Sequence, residues 1–206
     1  MIIIKEEQSG EVVKETASIR SKRIARNFGI SFTGAIFTGF IFGLLLRLVM
    51  GIIAFFFPHM ASGFHFSGTL MIVILGIAVT LANSIIYTIL FQTSRMRWGR
   101  KGFYFGLLSL ISFGTPLFLS NPNNELFGPQ APLGISLFSA LFFIGAFLLV
   151  WSIERITKWM EQSNGRLKLA YISCAILVIP AAVMLVNMFL EIFYEMIPAI
   201  IENFSR

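Results

Sequence analysis

The sequence predicts an all-α fold, a polytopic bundle of five transmembrane helices with the N-terminus in the cytoplasm and the C-terminus outside. Three observations predict it: an apolar composition, five long apolar segments and an uneven distribution of lysine and arginine. Hydrophobic residues make up 56% of the 206-residue chain and charged residues 13%, whereas soluble domains carry about 25% charged residues. This composition excludes a soluble enzyme, a soluble DNA-binding protein and a disordered chain.

Residues 1–31 are expected to form a cytoplasmic N-terminal extension. They carry ten charged residues and no long apolar run, so they do not resemble a signal peptide, which has an apolar stretch directly after a short basic head. The extension ends in a basic stretch without acids, from Arg20 to Arg26. Such a stretch is typical of the cytoplasmic side of a first span.

Five segments are long enough to span the hydrocarbon core of a bilayer, which requires about 20 apolar residues with a range of about 17–25. They define a transmembrane domain over residues 32–193 and run over about 32–57, 67–91, 103–119, 133–151 and 169–193. Pro58 is expected to end the first helix, because proline lacks a backbone N–H and its ring clashes with the preceding turn. Residues 194–206 mix apolar residues with acids and are expected to form a tail at the outer interface.

Lysine and arginine fall almost entirely on one side of these spans. Six lie in the N-terminal extension, four in the loop after the second span and four after the fourth span. The opposite loops, 58–66 and 120–132, contain none, and the tail contains only Arg206. Because short cytoplasmic loops are enriched in lysine and arginine, this distribution predicts the orientation. It also accounts for the net charge of +6 without nucleic acid as a partner.

Arg47 is expected near the middle of the first span. A charge there costs about 2.5 kcal/mol or more, so its side chain should face protein or water rather than lipid. Gly39, Gly43 and Gly51 recur with it at four-residue steps, and small residues at that spacing let a second helix approach closely. This stripe predicts the buried face of the first span.

Asn83, Asn187 and Glu191 are the polar residues of other spans that we expect to accompany Arg47. Asn83 belongs to a polar side of the second span, and Asn187 and Glu191 lie one turn apart near the outer end of the fifth span. A long arginine side chain that extends outward could contact Asn187 or Glu191. Two interpretations remain open: a buried polar clamp that fixes helix packing, or a site for an ion or an anionic substrate.

The sequence contains no recognisable catalytic, cofactor-binding or metal-binding pattern. His59 and His65 are six residues apart with no cysteine nearby, which is poor spacing for a metal site. Cys174 is the single cysteine and is expected to pack within the fifth span. The serines of the spans have no histidine within a span to act as a base. An enzyme is therefore the least favoured function.

The favoured function is a non-enzymatic scaffold or an accessory component of a complex in the plasma membrane. The alternative is an oligomeric transporter or channel subunit for an ion or a small solute, with Arg47 lining the pathway. The expected partners are the lipid bilayer and either a second copy of the chain or another membrane protein. A water-accessible cavity around Arg47 would favour transport, whereas a closed polar clamp would favour the scaffold.

Overall fold

The structure, a computed structural model, describes residues 2–58, 65–120 and 128–205. These residues form five helices and no strand, and helices account for 91% of the described residues. Each helix contains a segment that is long and apolar enough to cross a membrane. The helices are α1 (Ile2–Phe56), α2 (Phe66–Leu90), α3 (Trp98–Ser120), α4 (Ala131–Met160) and α5 (Asn164–Ser205).

Two of these helices contain a π-helical turn. In α3 the turn Leu110–Gly114 separates Trp98–Ser109 from Thr115–Ser120. In α5 the turn Ile192–Met196 separates Asn164–Glu191 from Ile197–Ser205. A π turn interrupts the regular hydrogen-bond ladder, and helices commonly bend there.

The helices extend beyond the apolar segments that define the predicted spans. α1 continues without a break across the predicted boundary between residues 31 and 32, and α4 continues from Trp151 to Met160. α5 begins at Asn164, passes through Pro180 and includes the predicted tail as far as Ser205. The all-helical fold with five apolar helices is confirmed. The helix ends differ because hydropathy reports apolar length, whereas charged residues such as lysine and arginine are also good helix formers.

Helix α1 occupies the centre of the bundle, where it packs against α2, α4 and α5, and α3 packs against α4. The largest cluster of buried apolar side chains surrounds the first half of the apolar part of α1. It includes Ile30, Phe32, Ala35, Tyr87, Phe105, Leu149, Ile153, Met160 and Ala170. We call this end of the bundle the basic end, because the exposed residues Arg95, Arg97, Arg155 and Lys168 lie at the same helix ends.

Candidate functional site

Helices α1 and α2 touch through their backbones at Gly39, Gly43 and Gly76. A Cβ atom added to Gly39 would lie 2.5 Å from the Cα of Ile77, and one added to Gly43 would lie 2.5 Å from the Cα of Val73. Real Cβ atoms essentially never approach other atoms so closely, so glycine alone fits without a shift of the helices. The structure thus places the predicted packing residues Gly39 and Gly43 in a contact with α2.

Gly51 lies away from this contact. A Cβ atom added to Gly51 would have no other atom within 4 Å. No described residue therefore packs against this predicted packing residue. Two residues twelve positions apart on a helix, such as Gly39 and Gly51, are rotated by about 120° around the axis. The stripe of glycines therefore winds away from α2 before it reaches Gly51.

Two further glycines of α1 face other helices. Gly29 lies against the backbone carbonyl of Ala170 on α5, and Gly34 lies against Ile153 on α4. Neither glycine was predicted as a packing residue. The signal that would have found them is again a four-residue spacing of small residues, because Gly29 is followed by Thr33 and Gly34 by Thr38.

Those two threonines form hydroxyl pairs at the same interfaces. Thr33 Oγ1 donates to Ser173 Oγ on α5 at 3.1 Å, and Thr38 Oγ1 donates to Ser152 Oγ on α4 at 3.1 Å. Small residues and hydroxyl groups are typical of contacts between helices in membranes. Together with the glycine contact with α2, these pairs join α1 to three neighbouring helices.

Asn83 is buried between α2 and α3, where it pairs with Ser109. Ser109 Oγ donates to Asn83 Oδ1 at 3.4 Å, and Asn83 Nδ2 donates to the Val79 carbonyl at 3.2 Å. Both residues line a cavity of about 20 Å³ that α1 and α4 also line, through Phe42 and Gly145. A cavity of this size with several polar atoms has room for about one water molecule.

Arg47 lies on a different helix from Asn187 and Glu191. Arg47 is half-buried on α1, whereas Asn187 and Glu191 are exposed on α5. With Tyr194 and Glu195 they line a wide-open surface groove formed by α5 alone. Arg47 is not among the residues that line this groove, so the clamp between these residues stays a prediction.

α5 changes neighbours along its length. α5 contacts α1 near the basic end, through Ala170 and Ser173. At the opposite end it lies on α3 instead, where the rings of Phe113 and Phe189 have centroids 6.4 Å apart. The outer half of α5 therefore contacts α3, and Glu191 lies on the stretch of α5 that has α3 as a neighbour.

An ion pair that was not predicted from the sequence lies at the basic end. Lys101 is buried on α3, and its Nζ lies 3.9 Å from Glu154 Oε1 on α4. Tyr87, which is also buried, lies within electrostatic reach of Glu154. From the sequence, Lys101 is one of the loop residues that predict the orientation. The predicted span begins at residue 103, whereas α3 begins at Trp98, so Lys101 lies within the helix.

Three polar contacts join α1 to α2 and α4 at the same end. Gln92 Nε2 donates to the Asn27 carbonyl at 3.3 Å, and Ser31 Oγ donates to Gln92 Oε1 at 3.4 Å. Arg26 forms an ion pair with Glu161 on α4 at 3.9 Å. The basic end is thus held by polar contacts as well as by the apolar cluster.

Neither His65 nor Cys174 belongs to these polar clusters. His65 is exposed just before α2, and Cys174 is half-buried on α5. His59 lies outside the described residues. Within residues 2–58, 65–120 and 128–205, no three His, Cys, Asp or Glu side chains are grouped so that they could hold a metal ion.

The chain therefore combines a polar centre inside the bundle, a set of ionic contacts at the basic end and a polar exposed face on α5. Comparison with protein-family models, with curated proteins and with solved structures finds no match. Any functional conclusion has to come from the geometry of these three regions.

Proposed function

We propose that the chain is a multi-pass protein of the plasma membrane, with the basic end in the cytoplasm and the C-terminus outside. The exposed arginines and lysines at the basic end support this orientation, because cytoplasmic loops are enriched in these residues. Trp98, Trp151 and Trp159 support a membrane interface at that end, because all three lie toward it and are about half exposed. Tryptophan is enriched at the interface between lipid and water. Large apolar side chains are also exposed along all five helices, an arrangement that is favourable in lipid and unfavourable in water.

Within that membrane, we propose that the protein is a non-enzymatic scaffold or accessory component and that α5 presents the surface for a partner. The observation that carries this proposal is the uneven burial of α5. In its most apolar stretch only 11% of the residues are buried, against 44% in α2. α5 is therefore attached to the bundle by one narrow side, and most of its surface is free to meet lipid or another protein.

Asn187 and Glu191 make lipid alone an unfavourable environment for that surface. Both are exposed, and Asn187 lies 18 residues after Leu169, which is about 27 Å along a helix. This distance is within the hydrocarbon core of about 30 Å, where lipid tails offer no hydrogen-bond partner. A polar group on another transmembrane helix would satisfy Asn187, and Glu191 lies one turn nearer the boundary.

Site-specific photocrosslinking in living cells tests this proposal. A photoreactive residue at Asn187 should form an adduct of defined mass with a membrane protein, since the proposed partner covers that position. The same photoreactive residue at Met71, which is exposed on α2, is the matched control and should give no such adduct. Equal adducts at both positions, or lipid adducts alone, would contradict the proposed docking role of α5.

The alternative function, an oligomeric transporter or channel subunit, requires a water-filled route beside Arg47. The central cavity and the groove on α5 are both lined by other residues, so neither supports such a route. Solute flux in proteoliposomes decides between the two functions. Flux that is lost in Arg47→Met, while the variant folds normally, would favour transport over the scaffold.

A further inference from the structure

The last part of α5, residues 192–205, carries an exposed apolar face. We call this segment the tail helix. In its α-helical part, Ile197, Ile201 and Phe204 fall within an arc of about 60°, since successive residues are about 100° apart. Phe193 precedes Ile197 by about one turn. All four are exposed, and Ile201 and Phe204 are exposed to 64% and 76%. Such a row of large apolar side chains is unfavourable in water.

The acidic residues of the tail helix lie on a different side. Glu195 and Glu202 are separated from the apolar arc by about 100° or more, and both are exposed. A third side contacts the bundle, because Asn203 Nδ2 donates to the Leu119 carbonyl of α3 at 3.4 Å. The tail helix therefore has a protein-facing side, an acidic side and an apolar side that no described residue covers.

Two contacts with α3 show how the tail helix leaves the bundle. Phe189 meets Phe113, and Asn203 meets Leu119. Between these contacts α5 advances by fourteen residues, about 21 Å, while α3 advances by six, about 9 Å. A straight continuation of α5 alongside α3 would carry Asn203 about 12 Å past Leu119, so the tail helix turns across the end of α3. The π turn Ile192–Met196 lies between the two contacts.

We infer that the tail helix lies in the interface of the outer leaflet, with Phe193, Ile197, Ile201 and Phe204 inserted among the lipids and both glutamates in water. This inference rests on the orientation proposed above. A helix that crosses the end of a span at an oblique angle stays near the membrane surface, where an apolar face can enter the headgroup region. Because the described charges of the tail helix are acidic, binding comes from apolar burial and requires no anionic lipid.

Spin-label accessibility of the full-length protein in phosphatidylcholine vesicles tests the inference. Single cysteines replace Ile201, Phe204, Glu195 and Glu202 in turn, in a Cys174→Ser background. Oxygen concentrates in lipid and a nickel chelate concentrates in water, so the ratio of their collision rates with the label reports its surroundings. Labels at Ile201 and Phe204 should show a high oxygen-to-nickel ratio, and labels at Glu195 and Glu202 a low one.

Other outcomes would overturn the inference. High nickel accessibility at Ile201 and Phe204 would place the tail helix in water, and low accessibility to both reagents would show that protein covers it. Labels at Ile176 and Ile179, which are exposed in the middle of α5, are the control for membrane insertion. If these control labels show a high oxygen-to-nickel ratio while the labels on the tail helix do not, the inference about the tail helix fails. The proposed insertion of the chain in the membrane then stands. Ile197→Cys reports the same face if Phe204→Cys does not fold.

Discussion

A Cβ atom on Gly76 would lie 2.7 Å from the backbone nitrogen of Gly43 and 2.8 Å from its Cα. The contact between α1 and α2 at this point is therefore between main chains, with no side chain in between. α1 also packs against α4 and α5. The positions of α2, α4 and α5 therefore depend on the distance at which each helix packs against α1.

Gly76→Ala should lower the free energy of unfolding, because the added methyl group has no space between the two backbones. Overpacking of this kind typically costs about 1–3 kcal/mol. Gly51→Ala is the matched control, since nothing lies within 4 Å of its Cβ position, and alanine is favoured over glycine in helices by up to about 1 kcal/mol. Thermal unfolding in detergent measures both changes. An unfolding temperature for Gly76→Ala at or above that of the wild type would contradict the contact.

Glu154→Leu should destabilise the bundle because it leaves the buried ammonium group of Lys101 without its partner. Removal of one member of a buried pair costs about 3–5 kcal/mol in soluble proteins, and we expect the lower part of that range because the Glu154 side chain is 34% exposed. The double variant Lys101→Met/Glu154→Leu should recover much of the loss. A double-mutant cycle of unfolding free energies measures the coupling, and zero coupling would mean that the pair does not form.

The ion pair between Arg26 and Glu161 provides a contrast within the same chain. Its side chains are exposed to 33% and 50%, and solvent-exposed ion pairs contribute about 0–1 kcal/mol. Glu161→Gln should therefore change the unfolding temperature much less than Glu154→Leu. Similar losses for both variants would show that burial does not distinguish the two pairs.

Arg47→Met and Glu191→Leu should have additive effects on stability. The two side chains share no described contact, and distant sites usually add within about 0.3–0.5 kcal/mol. The unfolding free energies of both single variants and of the double variant give the coupling. A coupling well above that limit would restore the clamp that the sequence predicts.

The five apolar helices and the glycine contact of α1 could be predicted from the sequence, because apolar length and four-residue spacing are local patterns. Gly39 and Gly43 are examples, since their spacing indicates a close helix contact whatever the partner. Gly51 shows the limit of this pattern. Whether a stripe of small residues stays in contact depends on the crossing of two helices, which one helix alone does not specify.

The polar partners could not be predicted, because they depend on which helices are neighbours. Asn83 pairs with Ser109 on α3, and α5 changes neighbours along its length, from α1 near Ser173 to α3 near Phe189. Lys101 was assigned to a loop because hydropathy underestimates the length of α3. In each case the residue type was informative, but its partner required the three-dimensional arrangement.

The orientation of the chain in the plasma membrane is tested most directly by labelling single cysteines on intact cells with a thiol reagent that cannot cross membranes. In a Cys174→Ser background, cysteines at Ser62 and Asn123 should be labelled, because both loops are expected outside. Cysteines at Ser94 and Ser163, at the basic end, should be labelled only after the cells are permeabilised. Labelling of Ser94 and Ser163 on intact cells, with Ser62 and Asn123 protected, would contradict the orientation, and labelling of all four would contradict the five spans.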